Sequence, residues 1–276
     1  MAAIFVEMFS YDFILRALIV GVLVSLCSAL LGVSLVLKRY SMIGDGLSHV
    51  GFSALAFAMV LNIAPLYVAI PVVVTAAFLL LRLSENSKIR GDAAIAMISS
   101  GALALGVFAI SVTKGMNVDM SSYMFGSILA MDNSDVVLSI CLSIIVLCLF
   151  VVFYNRIFAV TFDENFARAT GINAEVYNAL IAFLSAVTIV LGMRMMGALL
   201  ISSLIVFPPL SSMQVFKTFR QVILSSALLS VACFFVGLCV SYLWSTPTGS
   251  SVVMANIVAF LIFYVLGKIQ GRIKQQ

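Results

Sequence analysis

From Gln221 to Gly267 the chain runs 47 residues without a charged side chain, and from Val136 to Asn155 it runs another 20. Few folds can hold such runs. About 20 apolar residues in a helix cross a bilayer. Inside hydrocarbon every backbone N–H and C=O must find a partner, which only helices and closed barrels provide. The period-two alternation of a barrel strand is absent. The expected fold is therefore all-α, a polytopic transmembrane helical bundle. Composition agrees: the 276 residues are 63% hydrophobic and 9% charged, against about 25% charged in soluble domains.

The apolar runs divide into about eight or nine spans, with cores near 14–37, 42–61, 65–82, 93–113, 136–156, 176–193, 196–213, 221–243 and 250–267. No loop is long enough to fold alone, so residues 1–276 are expected to form one transmembrane domain. The N-terminus carries Glu7 and Asp12 rather than a basic segment, so the first run is expected to stay as a span. Residues 1–12 suit a short interfacial helix. With the loop after the first span on the cytoplasmic side, all of the 15 basic residues except Arg16, Lys114 and Arg194 lie inside. That bias places the C-terminus in the cytoplasm of a cell membrane. It also explains the net charge of +4 without a nucleic-acid partner.

Several chemistries are missing. There is no G-x-x-x-x-G-K-[ST] loop for ATP, no H-E-x-x-H and no G-x-S-x-G. Cys27, Cys141, Cys148, Cys233 and Cys239 all fall in apolar runs with no C-x-x-C pair, which argues against a disulfide framework or a zinc cluster. The chain is not expected to be an enzyme. Its work must be driven by a gradient or by another subunit.

What remains is Ser41-Met-Ile-Gly-Asp-Gly-Leu-Ser-His49, which follows Lys38 and Arg39 and leads into the second span. Asp45 and His49, the latter the sole histidine, are spaced i, i+4 and share a helix face. A carboxylate at mid-span costs about 2.5–3.5 kcal/mol on insertion scales and marks a candidate functional site. Oxygen and nitrogen ligands suit zinc, manganese or iron. Two ligands are too few for a structural site but enough for a transit site that must release its ion. The competing reading is structural: His49 bonds within the bundle, while Asp45 caps the span or pairs with Lys38 or Arg39. Gly44, Gly46 and Gly51 thin the helix nearby and allow close approach.

Two loops add character. On the external side Asp119, Asp132 and Asp135 surround Tyr123–Ser127; three carboxylates at a mouth would concentrate cations, or would simply be a solvated loop. On the cytoplasmic side the longest loop, about 157–174, contains Thr161-Phe-Asp-Glu-Asn-Phe-Ala-Arg-Ala-Thr-Gly171. Thr161 can cap one short helix, with acidic residues in its first turn and Gly171 ending it. Such a helix exposes Phe162 and Phe166, for a partner or the membrane surface. Phe207-Pro-Pro-Leu210 is expected to disturb its span. Asn62 is expected to end the second span, and Thr246-Pro-Thr-Gly-Ser250 to form an external turn.

The chain resembles, essentially end to end, the membrane permease subunits of the manganese/zinc/iron-type ABC transporters. Four stretches carry the likeness: Leu37–His49, with its basic pair and its Gly-Asp and Leu-Ser-His elements; Met124-Phe-Gly-Ser-Ile-Leu129; Thr161-Phe-Asp-Glu to Gly171; and Gly197–Pro208 followed by Thr246-Pro-Thr-Gly249. The resemblance implies an importer of zinc or manganese, with iron a further option. It also implies a permease homodimer in membrane lipid, two cytosolic ABC ATPases and an extracytoplasmic metal-binding lipoprotein. The metal would be cargo rather than a permanently bound cofactor. Asp45 and His49 match positions associated with metal coordination on the path. Phe162, Asp163, Glu164, Phe166, Ala167 and Gly171 match the loop that couples to the ATPase. The family often carries further histidines in the permease, and here His49 stands alone. The alternative function is a gradient-driven metal carrier or channel acting without an ATPase.

Overall fold

The structure is a computed structural model, and it describes residues 11–86, 91–113 and 133–273. Among these residues it is entirely helical. The elements are α1 (Asp12–Leu37), α2 (Ile43–Val60), α3 (Pro65–Asn86), α4 (Gly91–Val112), α5 (Asn133–Val152), α6 (Tyr154–Phe162), α7 (Glu164–Ala169), α8 (Ala174–Met196), α9 (Ala198–Val215), α10 (Phe219–Trp244) and α11 (Thr248–Ile273). Nine of them are long and apolar enough to cross a membrane, in the places expected from the apolar runs. Of the short interfacial helix expected over residues 1–12, residues 1–10 lie outside the described residues and Asp12 begins α1; the Tyr123–Ser127 segment with Asp119 and Asp132 also lies outside them, as does Met124–Leu129.

Successive spans reverse direction, so the bundle has two ends. Lys38, Arg156, α6, α7 and the start of α8 share one end. Arg16, Asp135, Arg194 and Trp244 share the other. At that second end the Arg194 guanidinium donates to Asp135, with Nε 2.8 Å from Oδ2, and Arg16 bonds the Asn133 side chain. Asp135 begins α5 and Arg194 ends α8, so each charge also complements its helix dipole. The carboxylate of Asp135 is therefore tied to a guanidinium.

The most buried spans are α1, α2 and α8. Around them α3, α4, α5 and α11 turn much of their surface outward. Helices in lipid have no water-driven force between them and associate through close packing of small residues. Gly32 makes this concrete. A Cβ there would sit 2.2 Å from the carbonyl oxygen of Ile205. That carbonyl would normally be bonded by the N–H four residues on, but Pro209 has none. Gly32 lets α1 close over the spot. The Pro208–Pro209 pair was expected to disturb the span, yet α9 runs unbroken through it. Its neighbours pack closely there: α1 at Gly32, and Ser226 of α10, whose hydroxyl donates to the Pro208 carbonyl at 3.3 Å.

Helix ends follow from local chemistry. α1 and α2 stop in left-handed turns at Arg39 (φ 63°) and Asn62 (φ 53°). The N–H of Tyr40 returns to Leu35 O at 2.8 Å and that of Ile63 to Ala58 O at 2.9 Å, the bonding that satisfies orphan carbonyls at a helix C-terminus. A single residue, Gly197, joins α8 to α9, with φ 85° and ψ 160°; only glycine adopts this region without strain.

Candidate functional site

Asp45 and His49 lie on α2, one turn apart, as the spacing required. Asp45 is in the first turn, where negative charge is favoured by the helix dipole. It does not cap the helix: the N-cap is Met42, with no side-chain cap bond. Lys38, one of the partners considered for Asp45, is engaged with Asn178 and Glu164.

The neighbours on either side explain why this face is open. α9 reaches α2 at Gly44, where a Cβ would meet Ile205 at 3.1 Å, and α4 reaches it at Gly46, where a Cβ would meet Ile95 at 2.8 Å. Gly44, Gly46, Leu47, Ser48, Val50 and Gly51 are all buried. Between them the Asp45 side chain keeps 44% of its surface accessible and that of His49 keeps 24%. The two side chains therefore share a partly exposed face of α2 next to the points where α4 and α9 cross it.

His49 Nε2 stands 3.7 Å from Asp45 Oδ2, beyond hydrogen-bond range. Zinc ligands of these types lie about 2.0–2.2 Å from the metal, so two of them on one ion can stand at most about 4.4 Å apart. The observed separation fits a shared ion with little side-chain adjustment. Among the described residues no group of three or more His, Cys, Asp or Glu could hold a metal. Two donors on an accessible face could hold an ion briefly and release it.

The loop at about 157–174, read from the sequence as cytoplasmic, is built differently from that reading. It holds two helices rather than one, because Asp163 leaves helical geometry (φ −147°, ψ 99°) between α6 and α7. Asp163, not Thr161, caps α7: its Oδ1 accepts the Phe166 N–H at 2.9 Å. Thr161 lies within α6 and is buried. Gly171 does end the motif, with φ 83° and nothing within 4 Å of a Cβ. The left-handed turn, not crowding, selects glycine there.

Phe162 and Phe166 are 58% and 64% exposed. Phe162 belongs to an aromatic cluster, its ring centre 4.9 Å from Phe158 and 5.8 Å from Phe219. Ala167 faces the opposite way, fully buried with Val160, Ala174 and Tyr177, and so anchors α7. Glu164 also turns inward. Its Oε2 lies 3.4 Å from Lys38 Nζ and accepts from Asn178 Nδ2 at 3.2 Å, while Oε1 accepts from Arg168 at 2.8 Å. Desolvation works to raise its pKa, but the Asn178 hydrogen bond, the Lys38 charge and the hydrogen bonds from Arg168 and Lys38 together outweigh it and hold the carboxyl below the ordinary glutamate range. Sequence reasoning did not pick out Asn178. The available signal was a carboxamide in an otherwise apolar span.

An apolar groove of about 640 Å3 lies between α10 and α11, lined by residues such as Val236, Trp244, Met254 and Ile262. Its lining is mostly apolar and includes neither Asp45 nor His49.

The resemblance proposed from motifs can now be set beside known proteins. A family model described as the ABC 3 transport family matches residues 10–267. The chain belongs to the ABC 3 transport family. This ABC 3 chain is 28% identical over 266 residues to the manganese import system permease protein ScaB of Streptococcus gordonii, covering 96% of this chain and 95% of that one. It is 27% identical over 252 residues to the high-affinity zinc uptake system membrane protein ZnuB of Haemophilus influenzae, covering 91% and 97%. Its fold matches the solved structure of PsaBC from Streptococcus pneumoniae in complex with Fab, with a TM-score of 0.85 at 28% identity, covering 96% of this chain and 95% of that one. The chain is thus a multi-pass membrane protein of the ABC transporter permease type.

Proposed function

We propose that this chain is the membrane-spanning subunit of an ATP-driven importer of a divalent transition metal ion, with Asp45 and His49 as the ligands that hand the ion across. One observation carries the reading: a carboxylate and an imidazole 3.7 Å apart on the accessible face of an otherwise buried span. Lipid is a poor neighbour for that face, because a carboxylate in hydrocarbon is costly. A second copy of the permease, placed so that the two faces line one polar path, removes that cost. The working unit is therefore a homodimer, each chain a single transmembrane domain. Relatives named for manganese and for zinc resemble the chain to the same degree, so both ions belong in the test. The ion is cargo, and the chain holds no resident cofactor.

The chain supplies no catalysis of its own. Cytosolic ABC ATPases supply ATP hydrolysis, and an extracytoplasmic metal-binding lipoprotein delivers the ion. Phe162 and Phe166 are the ATPase-facing side chains. Asp163 and Gly171 set the two ends of the helix between them, Glu164 joins it to the bundle and Ala167 anchors it. The end of the bundle that carries Lys38, α6 and α7 faces the cytoplasm, and the C-terminus lies on that side.

The test is transport of radiolabelled manganese or zinc into vesicles containing the whole assembly. Asp45→Ala and His49→Ala should each abolish uptake while the ATPase still co-purifies. Uptake at the unmutated rate in both variants would remove these residues from the path. Uptake by the permease alone, with no ATPase present, would favour the gradient-driven carrier.

A further inference from the structure

We propose that Lys38 is a positioning residue, the link through which movement of α7 reaches the α2 turn that carries Asp45 and His49. The proposal rests on the reading of α7 as the ATPase-coupling helix, and its test separates the two.

Three elements meet at one point. The Lys38 ammonium at the end of α1 donates to Asn178 of α8 and lies 3.4 Å from Glu164 of α7. Asn178 donates to the same Glu164 oxygen. The Lys38 side chain is only 10% exposed and Asn178 only 3%. Apolar contacts hold α7 to α6 and α8 through Ala167; the Glu164–Lys38 pair ties it to α1. Glu164 is the first residue of α7, between exposed Phe162 and Phe166. A push on those rings from below therefore acts directly on this pair.

The other side of Lys38 is stiff. The Lys38 N–H bonds Ser34 O at 3.0 Å, Arg39 is held left-handed, and the Tyr40 N–H returns to Leu35 O. The Ile43 N–H then bonds Tyr40 O and the Gly46 N–H bonds Met42 O, both at 3.0 Å. No slack loop separates Lys38 from Asp45. Displacement of the ammonium is passed to the start of α2 instead of being absorbed. Small shifts become discrete rearrangements in packed interiors. A buried ion pair contributes little net stability against an apolar alternative, while losing one partner leaves a buried charge. That balance suits a link better than a brace.

Lys38→Met removes the charge at similar length, and Lys38→Arg keeps it. Each is reconstituted with the ATPase and the binding lipoprotein, and ATPase co-purification, ATP hydrolysis and metal uptake are read together. Lys38→Met should retain the ATPase and hydrolyse ATP while uptake per ATP falls about tenfold, the scale of a typical coupling energy. Lys38→Arg should recover most of it, and so should the exchanged pair Lys38→Glu with Glu164→Lys. Unchanged uptake per ATP in Lys38→Met would overturn the proposal, as would a parallel fall of hydrolysis and uptake. If Lys38→Met does not reach the membrane, Lys38→Gln takes its place under the same criteria. Failure of both, and of the exchanged pair, to assemble would make the triangle purely structural and overturn it too. Phe162→Asp with Phe166→Asp tests the underlying reading. If the ATPase stays bound, α7 is not the coupling helix. If it is lost while Lys38→Met is unaffected, the Lys38 link alone fails.

Discussion

Single residues in this protein do work their type alone does not announce. Glu164 and Asp163 are adjacent carboxylates with opposite fates. Asp163 spends its side chain on the Phe166 N–H and sets the start of α7. Glu164 turns to the bundle and is held below its ordinary pKa, because desolvation is outweighed by the Asn178 hydrogen bond, the Lys38 charge and the hydrogen bonds from Arg168 and Lys38 together. A carboxyl whose pKa is lower folded than unfolded contributes stability that is complete above the unfolded value. That contribution is lost as pH falls through the depressed value. At neutral pH the Glu164 tie is therefore fully present, and only acid releases it. The thermal midpoint of the detergent-solubilised protein should fall more steeply in acid than that of Glu164→Gln, and the gap between them should stay constant from neutral pH upward. A gap of the same size at acid and neutral pH would mean that charge plays no part in the tie.

At the scale of elements, two glycines decide how spans meet. Gly197 alone turns the chain from α8 into α9, with dihedrals that cost a residue bearing a Cβ about 1–3 kcal/mol. Gly32 is selected by contact: a methyl there collides with the backbone oxygen of Ile205, and neither helix can yield easily. Gly32→Ala should destabilise the bundle by about 1–3 kcal/mol. The measurement is thermal unfolding of the detergent-solubilised protein, with Gly101→Ala as control. A Cβ at Gly101 meets nothing within 4 Å, so that variant should unfold at or above the parent midpoint. Equal midpoints for Gly32→Ala and the parent would mean that α1 and α9 are not in close contact there. The same close contact lies beside the two prolines, through which α9 continues unbroken.

For the whole molecule, the asymmetry of its two ends is what the proposed orientation rests on. The end with Lys38, Arg156, Arg168 and Arg220 carries most of the described basic residues, while the opposite end pairs Arg194 with Asp135. A C-terminal green fluorescent protein fusion should fluoresce and a C-terminal alkaline phosphatase fusion should be inactive. The reverse pattern would invert the topology and put α7 on the wrong side for an ATPase.

Much of this architecture was legible in the chain itself. Span positions follow from hydrocarbon thickness and the cost of unbonded backbone, read along the long apolar runs, which left eight or nine spans open. The i, i+4 spacing of Asp45 and His49 put them on one face, and the left-handed stops at Asn62 and Gly171 follow from residue type. Packing settled the rest. Whether that face is open depends on where α4 and α9 cross α2, at Gly46 and Gly44. Whether Lys38 serves Asp45 or Glu164 depends on α7 and α8, whose approach to the α1–α2 turn is set more than 120 residues away in sequence. Local periodicity records which way a side chain points along its own helix. Only the tertiary structure determines what it meets there.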